Sequence, residues 1–126
     1  MPDSKIILHI EDNFDNRLLV RRVLMASGYQ VIEAQNADEA RKTLVNLKPD
    51  LILMDINMPD MDGYTLTHEL KNKPELKNVP IVAITANVMK GDRERTLNAG
   101  CDGYIEKPID VDQFVEQVEE YLGQVA

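Results

Sequence analysis

The chain has 126 residues, 44% of them apolar and 29% charged, a size and composition suited to one core of ordinary dimensions in water. With 14 Lys and Arg against 22 Asp and Glu the net charge is −8 and the pI about 4.7; such a surface repels a phosphate backbone, which argues against a nucleic-acid partner. The single cysteine, Cys101, excludes an intrachain disulfide, and no apolar run approaches the roughly 20 residues of a membrane helix. No basic start followed by an apolar core marks a secretory signal, so the expected location is the cytoplasm, with no membrane partner. Residues 1–126 read as a single domain, without linker, low-complexity stretch or internal repeat, and the start at Met1 leads to the expectation of a whole protein.

Short apolar runs alternate with amphipathic stretches along the chain. Residues 6–10 (Ile-Ile-Leu-His-Ile) predict a strand, followed by the polar cluster Glu11-Asp12-Asn13. Residues 15–27 predict a helix with Leu19, Val20, Val23 and Leu24 on one face, stopped at Gly28. Residues 29–34 form a second strand; Asn36 or Asp38 then opens a helix with the stripe Ala37, Ala40, Leu44 and Leu47, closed by Pro49. Residues 51–54 are a third strand with Asp55 directly after it, and a third helix covers 63–72 with Leu66 and Leu70 inward. Pro80 leads into a fourth strand, 81–84, ending at Thr85. Residues 87–99 predict a fourth helix with a weak apolar face and a charged centre, ended by Gly100. A short fifth strand lies within 101–105, Lys107-Pro108 follows, and Asp110 caps a last helix striped by Val111, Phe114, Val115, Val118, Leu122 and Val125.

Three of these strands are apolar on both faces, which requires helices on both sides of a parallel sheet and gives a doubly wound α/β sandwich. Ligands of such sheets bind beyond the carboxyl ends of the strands. There stand Glu11 and Asp12, Asp55, Thr85 and Lys107. Singly, each has an ordinary explanation: an Asp after a strand is commonly a helix cap or turn residue, Thr85 a cap, and Lys107 a solvated surface lysine. Together they are the parts for phosphoryl transfer to a carboxylate. Hard oxygen ligands without His or Cys favour Mg²⁺ or Ca²⁺, and an incomplete cage suits Mg²⁺. Lysine and hydroxyl supply fixed charge and a donor.

The segments Glu11-Asp12-Asn13, Leu53-Met54-Asp55-Ile56-Asn57-Met58-Pro59-Asp60-Met61-Asp62-Gly63, Ile84-Thr85-Ala86 and Tyr104-Ile105-Glu106-Lys107-Pro108 resemble those of response-regulator receiver domains of bacterial two-component systems, and of the stand-alone, CheY-like type. The resemblance runs the length of the chain. It implies a flavodoxin-like (βα)5 fold with strand order 2-1-3-4-5. It also implies that Asp55 is the phosphoacceptor and that Mg²⁺, with Mn²⁺ as a substitute, is held by Asp12 and Asp55, by the carbonyl of Asn57 and through water by Glu11. Lys107 would bridge Asp55 and the phosphoryl group, Thr85 would bond it and move with it, Ala86 would leave it room, and Lys107-Pro108 would be a cis peptide. Glu11 is a departure, since many members carry Asp there. Asn57 and Asn87 would flank the phosphoryl group. Tyr104 holds a position that often carries a switching aromatic, so the output surface is expected on helix four, strand five and helix five. The implied partners are a sensor histidine kinase or histidine phosphotransfer protein and a downstream effector. The chain is expected to be a monomer, with dimerisation on phosphorylation as an option, and to have no separate substrate turnover.

Other readings fit less well. A phosphorelay intermediate is a close variant. A haloacid-dehalogenase-type phosphatase needs a second Asp two residues after the nucleophile, where Asn57 stands, and a phosphorylation-free scaffold needs none of the intact strand-end residues. The rhythm Asp60-Met61-Asp62-Gly63 with Glu69 would place Met58 at the first position of a calcium loop, and no G-x-G-x-x-G follows the first strand.

Overall fold

Successive side chains of a strand face opposite sides of the sheet, so a strand without polar positions must be covered twice. The protein is described here by a computed structural model covering residues 5–56, 63–86 and 90–123, with backbone alone at 90–93. Its elements alternate strictly: β1 (Ile6–Ile10), α1 (Phe14–Ala26), β2 (Gln30–Ala34), α2 (Ala37–Asn46), β3 (Leu51–Asp55), α3 (Gly63–Lys71), β4 (Ile81–Thr85), α4 (Lys90–Asn98), β5 (Gly103–Glu106) and α5 (Val111–Gly123). The strands are parallel in the order β2-β1-β3-β4-β5, the doubly wound, flavodoxin-like arrangement. Strands β3 and β4 are buried at every position.

The sheet separates two apolar layers. On one side Leu8, Ile10, Ile52, Met54 and Ala83 meet Ala40 and Leu44 of α2 and Leu66 and Leu70 of α3. On the other, Ile7, Leu53, Val82, Ile84 and Ile105 meet Val20 and Leu24 of α1 and Phe114 and Val118 of α5. Among the described residues, no helix is long and apolar enough to cross a membrane.

Local chemistry sets the boundaries. The Asn13 side chain accepts from the Asn16 amide at 2.9 Å and caps α1, which therefore begins at Phe14 rather than at residue 15. Asn36, not Asp38, caps α2, accepting from the Glu39 amide at 2.9 Å. That helix stops at Asn46, so Leu47, expected on its stripe, lies beyond it in extended backbone. Gly28 and Gly100 take φ of +94° and +108° after α1 and α4, which glycine allows without a Cβ clash. A 3₁₀ turn at Pro74–Leu76, absent from the sequence reading, buries Leu76 beside Val79. The α5 stripe is real at Phe114 and Val118, but Val111 is 47% exposed because the first turn of the helix faces outward. Val125 and the expected first residues of the fourth helix, 87–89, lie outside the described residues.

Helix α4 is attached differently from the others. Among its described side chains Thr96 is buried and Leu97 is largely exposed. Two of its described contacts to α3 are polar: the hydroxyls of Tyr64 and Thr96 lie 3.2 Å apart, and the Arg95 guanidinium stands 4.6 Å from the centre of the Tyr64 ring.

Gly63 opens α3 against the end of β3. A Cβ there would lie 2.8 Å from Ile56 Cα and 2.9 Å from the Asp55 carbonyl oxygen, backbone atoms that have no flexible end to withdraw. Gly63→Ala is expected to destabilise the fold by about 1–3 kcal/mol, the usual cost of overpacking. Urea denaturation measures it, and an unchanged midpoint would contradict this packing.

Candidate functional site

The carboxyl ends of β1, β3, β4 and β5 bring five polar residues together: Glu11, Asp12, Asp55, Thr85 and Lys107. Adjacent strands hold the edge in register: the Ile56 amide donates to the Ile84 carbonyl at 3.3 Å, and the Lys107 amide to that of Thr85 at 2.8 Å. Asp55 is the last residue of β3 and Thr85 of β4, and both are buried. Glu11 follows β1 directly, its amide donating to the Ala34 carbonyl at 2.9 Å, and it is 1% exposed. Asp12 is exposed at the rim. One carboxylate oxygen from each of Glu11, Asp12 and Asp55 lies within 4.8 Å of the other two.

Lys107 faces this cluster. Its ammonium donates to Asp55 Oδ1 at 3.3 Å and stands 3.7 Å from Glu11 Oε1. One cation is not enough for three carboxylates. The Glu11 carboxyl is pushed up to about 8, first by burial, then by its hydrogen bond with Asp55 and that residue's charge, against the opposing pull of Lys107 and of the Asn13 amide, which donates to Oε2 at 3.4 Å. A buried carboxyl held protonated by its neighbours ionises when a divalent cation is placed among them. The donor set, all hard oxygen and partly open to solvent through Asp12, fits Mg²⁺.

The Lys107–Pro108 peptide bond is cis. Beside it a cavity of about 350 Å³ is lined by Asn16, Leu19, Ala86, Lys107, Pro108 and Ile109, so the site opens onto a largely apolar recess. Ala86 is exposed at its edge. Tyr104 is half-buried against the α2/α3 layer, and its carbonyl accepts from the Tyr121 hydroxyl at 3.4 Å. The structure therefore brings Glu11, Asp12, Asp55, Thr85, Ala86 and Lys107 to one edge, with Tyr104 two residues back along β5 from its end at Glu106. Asn57 and Asn87, both named from the sequence, lie outside the described residues.

Two residues at the site were not singled out from the sequence. Arg17 is 9% exposed, and its Nη1 donates to the carbonyls of Glu11 and Asp12, each at 3.0 Å. It stands three residues before Val20 and seven before Leu24, so it occupies the buried stripe of α1; that spacing was the available signal. His9 is fully buried in β1, and neither ring nitrogen has a hydrogen-bond partner among the described residues. Its position in a strand with no exposed face was a signal too, masked by the apolar residues around it.

Residues 7–119 match the family described as the response regulator receiver domain, and the chain belongs to that family, a class of signalling switches in two-component systems. Within the family it is DivK-like: it is 46% identical over 123 residues to the polar-differentiation response regulator DivK of Brucella anthropi, covering 98% of each chain. Among solved structures it is similar to the receiver domain of a signal transduction histidine kinase from Syntrophus aciditrophicus, with 34% identity, a TM-score of 0.88 and coverage of 97% and 92% of the two chains. It is also similar to the receiver domain of a sensor histidine kinase of Pseudomonas aeruginosa PAO1, which has magnesium coordinated in its active-site cleft, with 33% identity, a TM-score of 0.86 and coverage of 95% and 98%. The cluster of Glu11, Asp12 and Asp55 fits the receiver Mg²⁺ site.

His9 makes stability depend on pH. Burial holds its imidazole down to about 4; Asp55 partly offsets this, while Lys107 and Arg17 add to it. Between the ordinary 6.5 and 4 the unfolded chain binds more protons than the folded one, so this contribution falls as the pH falls. Glu11, raised to about 8 from 4.5, acts in the opposite sense across that interval, so the informative comparison is with a variant. Relative to wild type, His9→Leu should gain on the order of 2 kcal/mol between pH 7 and 4.5. Denaturant titrations at the two pH values test this, and parallel pH dependence in the two proteins would refute it.

Proposed function

We propose that this protein is a phosphorylation-controlled switch whose acceptor is Asp55. The observation that carries this reading is the pairing of Lys107 Nζ with Asp55 at 3.3 Å and Glu11 at 3.7 Å, facing a triad of carboxylate oxygens within 4.8 Å of one another. Residues 1–126 would form one receiver domain, consistent with the family match over residues 7–119.

In this reading Asp12 and Asp55 hold Mg²⁺ through their side chains, with Glu11 acting through water and Asn57 through its carbonyl; Mn²⁺ substitutes. The metal, when bound, neutralises charge on the phosphoryl oxygens. An Asp55 carboxylate oxygen attacks phosphorus, the bond from phosphorus to the donor's imidazole nitrogen breaks, and the leaving imidazole keeps the electron pair. Lys107 holds the Asp55 carboxylate before transfer and a phosphoryl oxygen after it. The hydroxyl of Thr85 bonds another oxygen, and Ala86 leaves the space. Hydrolysis returns the carboxylate, with no other substrate turned over.

The donor is a sensor histidine kinase or histidine phosphotransfer protein, and a downstream effector reads the surface of α4, β5 and α5. Phosphorylation adds about two negative charges. Thr85 follows them, drawing on the start of the fourth helix, and Tyr104 responds one strand over. The proposed location is the cytoplasm, and the proposed state a monomer able to dimerise when phosphorylated. A second role is passing the phosphoryl group on to a histidine phosphotransfer protein; the similar receiver domains within histidine kinases favour keeping this reading. Rapid back-transfer selects it, and a persistent phospho-Asp55 selects the terminal switch.

Intact mass after incubation with Mg²⁺ and acetyl phosphate should show one added phosphoryl group, absent with EDTA and in Asp55→Asn. A phosphoryl group retained in Asp55→Asn would overturn the assignment. Tyr104→Ala should alter effector affinity in one phosphorylation state more than in the other; equal affinities to wild type in both states would remove Tyr104 from the switch.

A further inference from the structure

We propose that Arg17 is a positioning residue for the divalent cation, acting through the backbone that carries Glu11 and Asp12; this rests on the reading of the acidic cluster as a metal site. Arginine is seldom buried unless its charge is matched. Arg17 is 9% exposed, yet its hydrogen bonds among the described residues go to backbone carbonyls rather than to a carboxylate. Nη1 donates to two consecutive ones, Glu11 O and Asp12 O, both at 3.0 Å.

The segment between β1 and α1 is short: Glu11, Asp12 and the capping residue Asn13. Rotation of the peptide after Glu11 or after Asp12 would swing the side chains that follow the end of the strand. A donor bound to both carbonyls sets both peptide planes at once. A guanidinium suits this task because its nitrogens are held in a rigid plane and its charge persists at every working pH. Because it bonds to carbonyls, Arg17 does not itself occupy the carboxylate oxygens of Glu11 and Asp12. The Phe14 ring, 5.7 Å from the guanidinium carbon, packs beside it at the start of α1.

The test is a calorimetric Mg²⁺ titration of wild type, Arg17→Met and Arg17→Lys, with melting temperatures recorded in EDTA. Removing a group that orients metal ligands usually weakens affinity roughly 10- to 100-fold, and that is the expectation for Arg17→Met. Arg17→Lys should recover most of the loss, since one ammonium can donate to both carbonyls. A role confined to stability lowers the melting temperature and leaves Mg²⁺ affinity unchanged; that result in a folded Arg17→Met protein overturns the proposal. Where Arg17→Met does not fold, NMR of the wild type decides: the Arg17 guanidinium hydrogens should exchange slowly and shift on Mg²⁺ addition, and unshifted signals overturn it. A wild type that binds no Mg²⁺ overturns the metal-site reading and this inference with it.

Discussion

Carboxylates repel, and burial makes the repulsion stronger by removing the water that would screen it. Glu11, Asp12 and Asp55 are nonetheless packed at one edge of the sheet, with Lys107 as the cation drawn in among them. The opposite edge shows what an aspartate does when it serves only the fold. Asp50 accepts from the Ile6 amide at 2.8 Å, and Asp102 accepts from the Ile81 amide at 2.8 Å and pairs with Lys71 at 2.7 Å. Those carboxylates terminate strands and are satisfied. The cluster at the carboxyl edge is left with excess negative charge, and the fold tolerates it because the sheet beneath is covered on both faces.

That coverage is uneven in kind. Helices α1, α2, α3 and α5 each bury apolar side chains against the sheet. Both polar residues buried beside the carboxyl edge, His9 of β1 and Arg17 of α1, lie in the two elements that the Glu11-Asp12-Asn13 segment joins. The acidic edge thus adjoins the apolar α1/α5 side, whereas the surface proposed for output includes α4, whose described contacts to α3 are polar.

Most of this architecture was legible in the sequence. The apolar runs of β1, β3 and β4 demanded a doubly covered parallel sheet, and the strand-end rule then selected Glu11, Asp12, Asp55, Thr85 and Lys107. What escaped had a common cause: a side chain's type pointed one way and its position another. Arg17 reads as a surface cation until its place on the Val20 and Leu24 stripe is counted. His9 reads as a polar interruption, but a central strand offers it no solvent. Val111 reads as core, but it sits in the first turn of α5, before the helix has turned its face to the sheet. The Pro74–Leu76 turn and the end of α2 before Leu47 depend on backbone closure over a few residues, which periodicity does not record.

The attachment of α4 has a thermodynamic signature of its own. Heat capacity changes when apolar surface is exposed to water, and it is the curvature of stability with temperature that reports it. A hydroxyl pair between Tyr64 and Thr96 and a cation over an aromatic ring contribute little to that curvature. The described contacts of α4 to α3 therefore add little to that curvature, which the apolar layers under α1, α2, α3 and α5 dominate.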